Sequence, residues 1–232
     1  MKIYATAVHL LTASGAVCGL FALHTAASHD WRAAFLWLGA AAVIDAIDGS
    51  MARRVQVDKA LPRFSGVTLD LVVDYLTYCV VPAFILMESG RLGETFAPVA
   101  GALILLGSLY HFADKKSKTG DGFFIGFPAI WNVVCLYAFV FHAGPNVLLP
   151  VVIVLTIATV LPLKWVHPLR TKMWRLPTVA AVSLWSLAAL YEAIAGFPGT
   201  VATRAIFVLV GIYLVGIGVM RTFLARGTHD VR

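Results

Sequence analysis

The chain reads as an all-α polytopic membrane protein, with about eight transmembrane helices in a single bundle over residues 1–232. Two observations lead there. The 232 residues are 60% hydrophobic and only 13% charged, with a mean hydropathy of +0.85, whereas a soluble domain carries about 25% charged residues. Apolar stretches long enough to cross a bilayer also recur along the whole chain, which a secretory leader by itself does not explain.

The stretches fall near residues 4–27, 31–49, 67–88, 96–113, 124–143, 146–163, 177–195 and 201–223. Met1-Lys2 ahead of the first could open a leader, but no small-residue cleavage site follows, so the first stretch reads as an uncleaved span. Val17 before Cys18 makes a poor lipidation box. The connecting loops are short, with no linker, repeat or low-complexity tract.

The basic residues orient the bundle. Eight spans place Lys2, then Arg53, Arg54, Lys59 and Arg63, then Lys115, Lys116 and Lys118 on one side. Lys164, Arg170, Lys172 and Arg175 join them there, followed by Arg221, Arg226 and Arg232. Only Arg32, Arg91 and Arg204 fall opposite. Positive loops stay in the cytoplasm, so both termini are expected there. A six-span arrangement would leave two apolar stretches unexplained. The net charge of +6 then suits a surface beside anionic lipid rather than nucleic acid. Cys18, Cys79 and Cys135 lie in three different apolar stretches without ligand spacing, so neither a disulfide framework nor a zinc site is expected. The seven histidines also lack ligand spacing and read as interfacial or packing residues. Glu192 falls toward the outer end of the seventh span.

Four acids interrupt this pattern. Asp45 and Asp48 end the second span, and Asp70 and Asp74 open the third. One ionised carboxylate inside a bilayer costs roughly 2.5–3.5 kcal/mol, and four together cost on the order of 10 kcal/mol before their mutual repulsion. Spacings of three and four put each pair on one helix face. Facing each other, the helices would present about eight carboxylate oxygens, the donor set of hard divalent cations. An acidic metal site at the cytoplasmic mouth, holding Mg²⁺ or Mn²⁺ and most simply two ions, is therefore expected. Helix capping explains one such acid, not four on two stripes. Gly49, Ala52 and Gly66 leave a slot beside the acids, and the planar fork of Arg53 suits a phosphate.

The residues Asp45-Ala-Ile-Asp48-Gly49-Ser-Met-Ala52-Arg53 and Gly66-Val-Thr-Leu-Asp70-Leu-Val-Val-Asp74 resemble the signature of the CDP-alcohol phosphotransferase family at every fixed position. The loop over residues 54–65 is longer than that signature usually has. In one branch, the bacterial phosphatidylcholine synthases, the resemblance extends to this longer loop, to Asp121-Gly-Phe-Phe-Ile-Gly-Phe-Pro-Ala-Ile-Trp-Asn132 and to His167-Pro-Leu-Arg170. The resemblance implies an inner-membrane phosphatidyltransferase with a cytoplasmic active site, converting CDP-diacylglycerol and choline to phosphatidylcholine and CMP. It implies Asp45, Asp48 and Asp70 as metal ligands, and Asp74 as general base that also touches a metal. Gly49, Ala52, Arg53 and Gly66 would then bind CDP-diacylglycerol, with Thr12 and Ser14 of the first span.

Choline offers no N–H, so ring faces must hold its cation. Tyr75, Tyr78, Phe127 and Trp131 are suited to such a cage, with Asn132 placed for a hydroxyl. The same rings also suit an interfacial belt. Serine, glycerol-3-phosphate or inositol phosphate are the alternative acceptors within the family. A lipid transporter is the alternative outside it, although no inverted repeat is visible. Membrane lipids are expected partners, and a homodimer is compatible with such a chain.

Overall fold

Apolar composition and long uninterrupted runs make helix the only economical backbone at the start of the chain, since a helix satisfies its own N–H and C=O groups in lipid. In the computed structural model, helix α1 (Lys2–Ala27) turns at residues 28–30 into α2 (Trp31–Val55). Asp30 caps α2 by accepting the Ala33 N–H at 3.1 Å. Helix α2 runs beyond the expected residue 49 and stops at Gln56, whose left-handed backbone closes its last turn. The structure describes residues 2–117, 119, 122–167 and 174–226, with side chains up to Phe223. Lys118, Asp121, Pro168 to Arg170, Lys172, His229 and Arg232, and the side chain of Arg226, lie outside the described residues.

The third span is continuous but not uniform. Short α3 (Val57–Ala60) precedes it, then α4 (Gly66–Asp74), a π-helical segment (Tyr75–Val80) and α5 (Val81–Glu88) follow one another. Pro82 cannot donate to the Tyr78 carbonyl, and its ring would crowd that carbonyl in a regular helix. The wider π turns, with the Val81 N–H reaching Leu76 O, absorb the misfit. Gly15 and Gly19 of α1 let this span approach closely. A Cβ on Gly15 would lie 2.8 Å from Val73 Cγ1, and one on Gly19 would lie 3.0 Å from Leu76 Cδ2. This is small-residue packing of the kind membrane helices use.

Helix α6 (Gly93–Ala113) is full length, as are α9 (Arg175–Ala195) and α10 (Val201–Arg226). Among the described residues, six helices are long and apolar enough to cross a membrane. The chain is a multi-pass membrane protein. The other two expected spans are shorter. Helix α7 covers only Trp131–Val140 and α8 covers Pro145–Val160, about 15 and 24 Å against a hydrocarbon layer of about 30 Å.

The expected helix over 124–143 opens instead as strand β1 (Phe123–Ile125), antiparallel to β2 (Lys164–Val166) beyond α8. Between β1 and α7 the backbone is non-helical, and protein satisfies it: Gly126 N–H donates to Leu163 O at 2.9 Å and Phe127 N–H to Ala158 O at 3.0 Å. Irregular backbone is tolerated at this depth only where protein supplies such partners. Gly126 has φ of +76°, and a Cβ there would stand 2.1 Å from Thr159 O, so only glycine fits. The three cysteines are free and buried.

Candidate metal centre

Helix α2 carries Asp45 and Asp48, and α4 carries Asp70 and Asp74. Helix α1 packs against both, so the Gly15 and Gly19 contacts that seat the third span also bring the two acidic faces together. Carboxylate oxygens of Asp45, Asp70 and Asp74 lie within 4.8 Å of one another. Each pair of ionised groups at that distance repels by about 3 kcal/mol at an effective dielectric of 20. All three side chains are half-buried. Convergent hard oxygen donors of this kind fit a divalent cation, and these three residues can hold one.

The fourth acid does something else. Asp48 is 3% exposed and lies outside this trio, facing Thr12 of α1. The expected ring of four is therefore three converging carboxylates and one enclosed neighbour. Tyr78, one turn beyond Asp74, donates its hydroxyl to Asp45 Oδ2 at 2.7 Å. That bond engages one oxygen of Asp45 and fixes the orientation of the carboxylate.

The expected nucleotide residues are distributed around the acids. Arg53 is exposed, lies over Gly49, and donates to Ser50 Oγ at 3.2 Å. Ala52 packs on the small cluster of Ala5, Val8 and Val57, so the long loop over 54–65 is docked through α3 onto α1. Gly66 faces His9, whose Cε1 would stand 3.2 Å from an added Cβ. The His9 Nε2 is enclosed and has no hydrogen-bond partner among the described residues. Thr12 faces Asp48, while Ser14 is turned back to Leu11 O at 2.6 Å. The sequence signal for His9 was weak, because a single histidine in an apolar helix has no spacing to read.

The expected cage for an acceptor cation is not assembled. Tyr78 is engaged with Asp45, and Tyr75 donates to Leu105 O at 3.3 Å. Phe127 and Trp131 are 2% and 1% exposed. The Trp131 indole N–H donates to Ser108 Oγ at 2.9 Å. In an apolar interior that N–H needs an acceptor, and Ser108 draws the ring into the core. Asn132 accepts the Val133 N–H at 2.9 Å as α7 begins. No ring contact joins Tyr75 or Tyr78 to Phe127 or Trp131 among the described residues.

Fold and site together define a multi-pass membrane protein with a carboxylate centre between its second and third spans. No family model matches the chain. It is similar, however, to phosphatidylcholine synthase of Rhizobium johnstonii, at 39% identity covering 96% of this chain and 93% of that protein. Phosphatidylcholine synthase of Agrobacterium fabrum is also 39% identical, covering 94% and 90%. That of Pseudomonas aeruginosa is 40% identical over 79% and 77%. The chain belongs to the phosphatidylcholine synthase family.

Proposed function

We propose that the chain transfers the phosphatidyl group of CDP-diacylglycerol to choline, giving phosphatidylcholine and CMP, in a bacterial inner membrane with the carboxylate end and both termini in the cytoplasm. The convergence of Asp45, Asp70 and Asp74, in a chain of this family, carries the reading. Asp74 takes the proton of the choline hydroxyl as its oxygen attacks the lipid-side phosphorus. A new P–O bond forms, the phosphoanhydride bond breaks, and CMP leaves. Asp45 and Asp70, with Asp74 and with Asp48 adjoining, would hold one or two Mg²⁺ or Mn²⁺ ions. When bound, such ions neutralise the diphosphate and the charge developing on it. Gly49, Ala52, Arg53 and Gly66 face the nucleotide, with Thr12 beside them and Ser14 on the same helix.

Purified protein in lipid, given CDP-diacylglycerol and an equimolar mixture of choline, serine, glycerol-3-phosphate and inositol phosphate, tests this reading by mass spectrometry. Phosphatidylcholine should be the dominant product, chelator should abolish CMP release, and Mn²⁺ or Mg²⁺ should restore it. Dominant phosphatidylserine or phosphatidylglycerophosphate would overturn the acceptor, and full activity after stripping of all metal would overturn the metal assignment.

A further inference from the structure

Two groups of rings adjoin the helix that carries Asp74, and they differ in one respect that matters to a cation. The first is closed: Phe127 meets Trp131 and Trp165 edge-on at 5.1 and 5.4 Å, and Phe127 and Trp131 are almost wholly buried. A cation binds over a ring face, so it needs space there. The second group is a continuous wall built from four separate elements. Tyr75 meets Phe112 at 6.0 Å, Phe112 meets His111 at 6.1 Å, His111 meets Phe124 at 6.3 Å, and Phe124 stacks on His167 at 5.1 Å. Tyr75, Phe112, Phe124 and His167 are half-buried, only His111 is fully buried, and the stack covers just the faces that Phe124 and His167 turn to each other.

The wall starts beside Asp74. Tyr75 is the next residue in the third span, His111 and Phe112 come from the last turn of α6, Phe124 comes from β1, and His167 directly follows β2. Phe124 pairs with Trp165 in the β-ribbon, so these two share one face, and His167 stacks on Phe124. Lys164 falls on the opposite face, where its Nζ lies 5.7 Å from the Phe123 ring. The ammonium of the ribbon itself is thus turned away from the wall.

We propose that the ring wall of Tyr75, Phe112, Phe124 and His167 receives the quaternary ammonium of the acceptor, and that it determines acceptor choice. The inference rests on the proposed phosphatidyl transfer to choline. A trimethylammonium group offers no N–H, so carbonyls and carboxylates gain no conventional hydrogen bond from it, and ring faces are its natural partners. The hydroxyl of choline lies only a few ångström from its nitrogen. Tyr75 adjoins Asp74 in the chain, so the proposed site places the cation on the wall and the hydroxyl toward that carboxylate.

The test compares choline with 3,3-dimethylbutan-1-ol, in which carbon replaces the charged nitrogen at the same shape. Full-length wild type should prefer choline in kcat/KM. Phe124→Leu and Phe112→Leu should each lose about five- to thirty-fold with choline and little with the neutral alcohol, at unchanged KM for CDP-diacylglycerol. Phe124→Tyr, which keeps a ring, should retain the preference even if leucine at this position impairs folding. Trp131→Phe should affect both alcohols equally. Equal losses for both alcohols in the leucine variants, or loss of the preference in Phe124→Tyr or Trp131→Phe, would overturn the assignment. Failure of the underlying reading shows separately, as a wild type that releases no CMP with choline.

Discussion

The two ends of the bundle handle charge in opposite ways. At the end away from the acids, Arg32, Arg91, Glu192 and Arg204 are each engaged by another part of the protein. Arg32 donates to the Ile194 carbonyl at the end of α9, and Arg204 donates to Val140 O at 3.1 Å at the end of α7. Cations there complement the negative ends of helix dipoles. Arg91 lies 4.3 Å over the Phe139 ring. Glu192, 1% exposed, accepts from the Thr203 hydroxyl and, at 3.2 Å, from the Thr200 N–H. Phe35, Phe139 and Phe197 pack edge to face around them. At the acid end three carboxylates converge on one another, the third span widens into π turns, and the chain leaves helix for a ribbon. The contrast separates scaffold from site. Charges satisfied within the protein hold the fold, whereas like charges brought together store a demand that a bound cation would meet.

The strongest way to break this contrast is to substitute Asp74. Asp74→Asn keeps the size of the side chain and removes the proposed base, so turnover should fall by about 10²–10⁴-fold. CDP-diacylglycerol binding should be mostly retained. Thermal unfolding in detergent should occur at the same temperature or higher, because a like charge has been removed from the trio. Near-normal turnover in this variant would show that the base lies elsewhere.

At the other end the signature should reverse. Glu192→Ala leaves the Thr200 N–H without its side-chain acceptor, leaves the Thr203 hydroxyl to the Thr200 carbonyl at 3.0 Å, and opens a cavity, at a combined cost of about 3 kcal/mol. The unfolding temperature should drop by roughly 5–10 °C, while activity per folded molecule with choline stays within about twofold. A Glu192→Ala protein that is as stable as wild type but inactive would erase the division between the two ends.

Much of this division was legible in the sequence, for a physical reason. Acids inside apolar helices are so costly that their positions carry chemistry, and arginine and lysine sort by side of the membrane. Those signals placed the carboxylates on α2 and α4 and separated Arg32, Arg91 and Arg204 from the other basic residues. What escaped depends on partners distant in sequence. Asp48 looks equivalent to Asp45 until Thr12 of another helix stands against it. Trp131 looks like a free ring until Ser108 accepts its N–H. Other features had local signals. Gly126-Phe-Pro128 inside an apolar run marks a break in the fifth stretch. Pro82, four residues after Tyr78, foreshadows the π turns. Gly15 and Gly19 form a small-residue pair four apart, the spacing that lets membrane helices meet.

The smallest expected effect belongs to Tyr78, which sharpens the contrast within the acid end itself. Its hydroxyl meets Asp45 Oδ2 at 2.7 Å, and a phenolic donor on one oxygen leaves the other for a cation while preventing rotation of the carboxylate. Partners of this kind around metal ligands are worth 10–100-fold in affinity or activity. Asp45 is one of three converging carboxylates, so the low end of that range applies. Tyr78→Phe keeps the ring and its packing and removes only the hydroxyl. The concentration of Mn²⁺ or Mg²⁺ giving half-maximal activity should rise about tenfold, with turnover at saturating metal changed by no more than about threefold. The ratio of choline to 3,3-dimethylbutan-1-ol should stay at the wild-type value, because the ring wall of Tyr75, Phe112, Phe124 and His167 is untouched. A rise in choline KM at an unchanged metal requirement would reverse these roles: the hydrogen bond would be incidental, and the Tyr78 side chain would contact the acceptor directly.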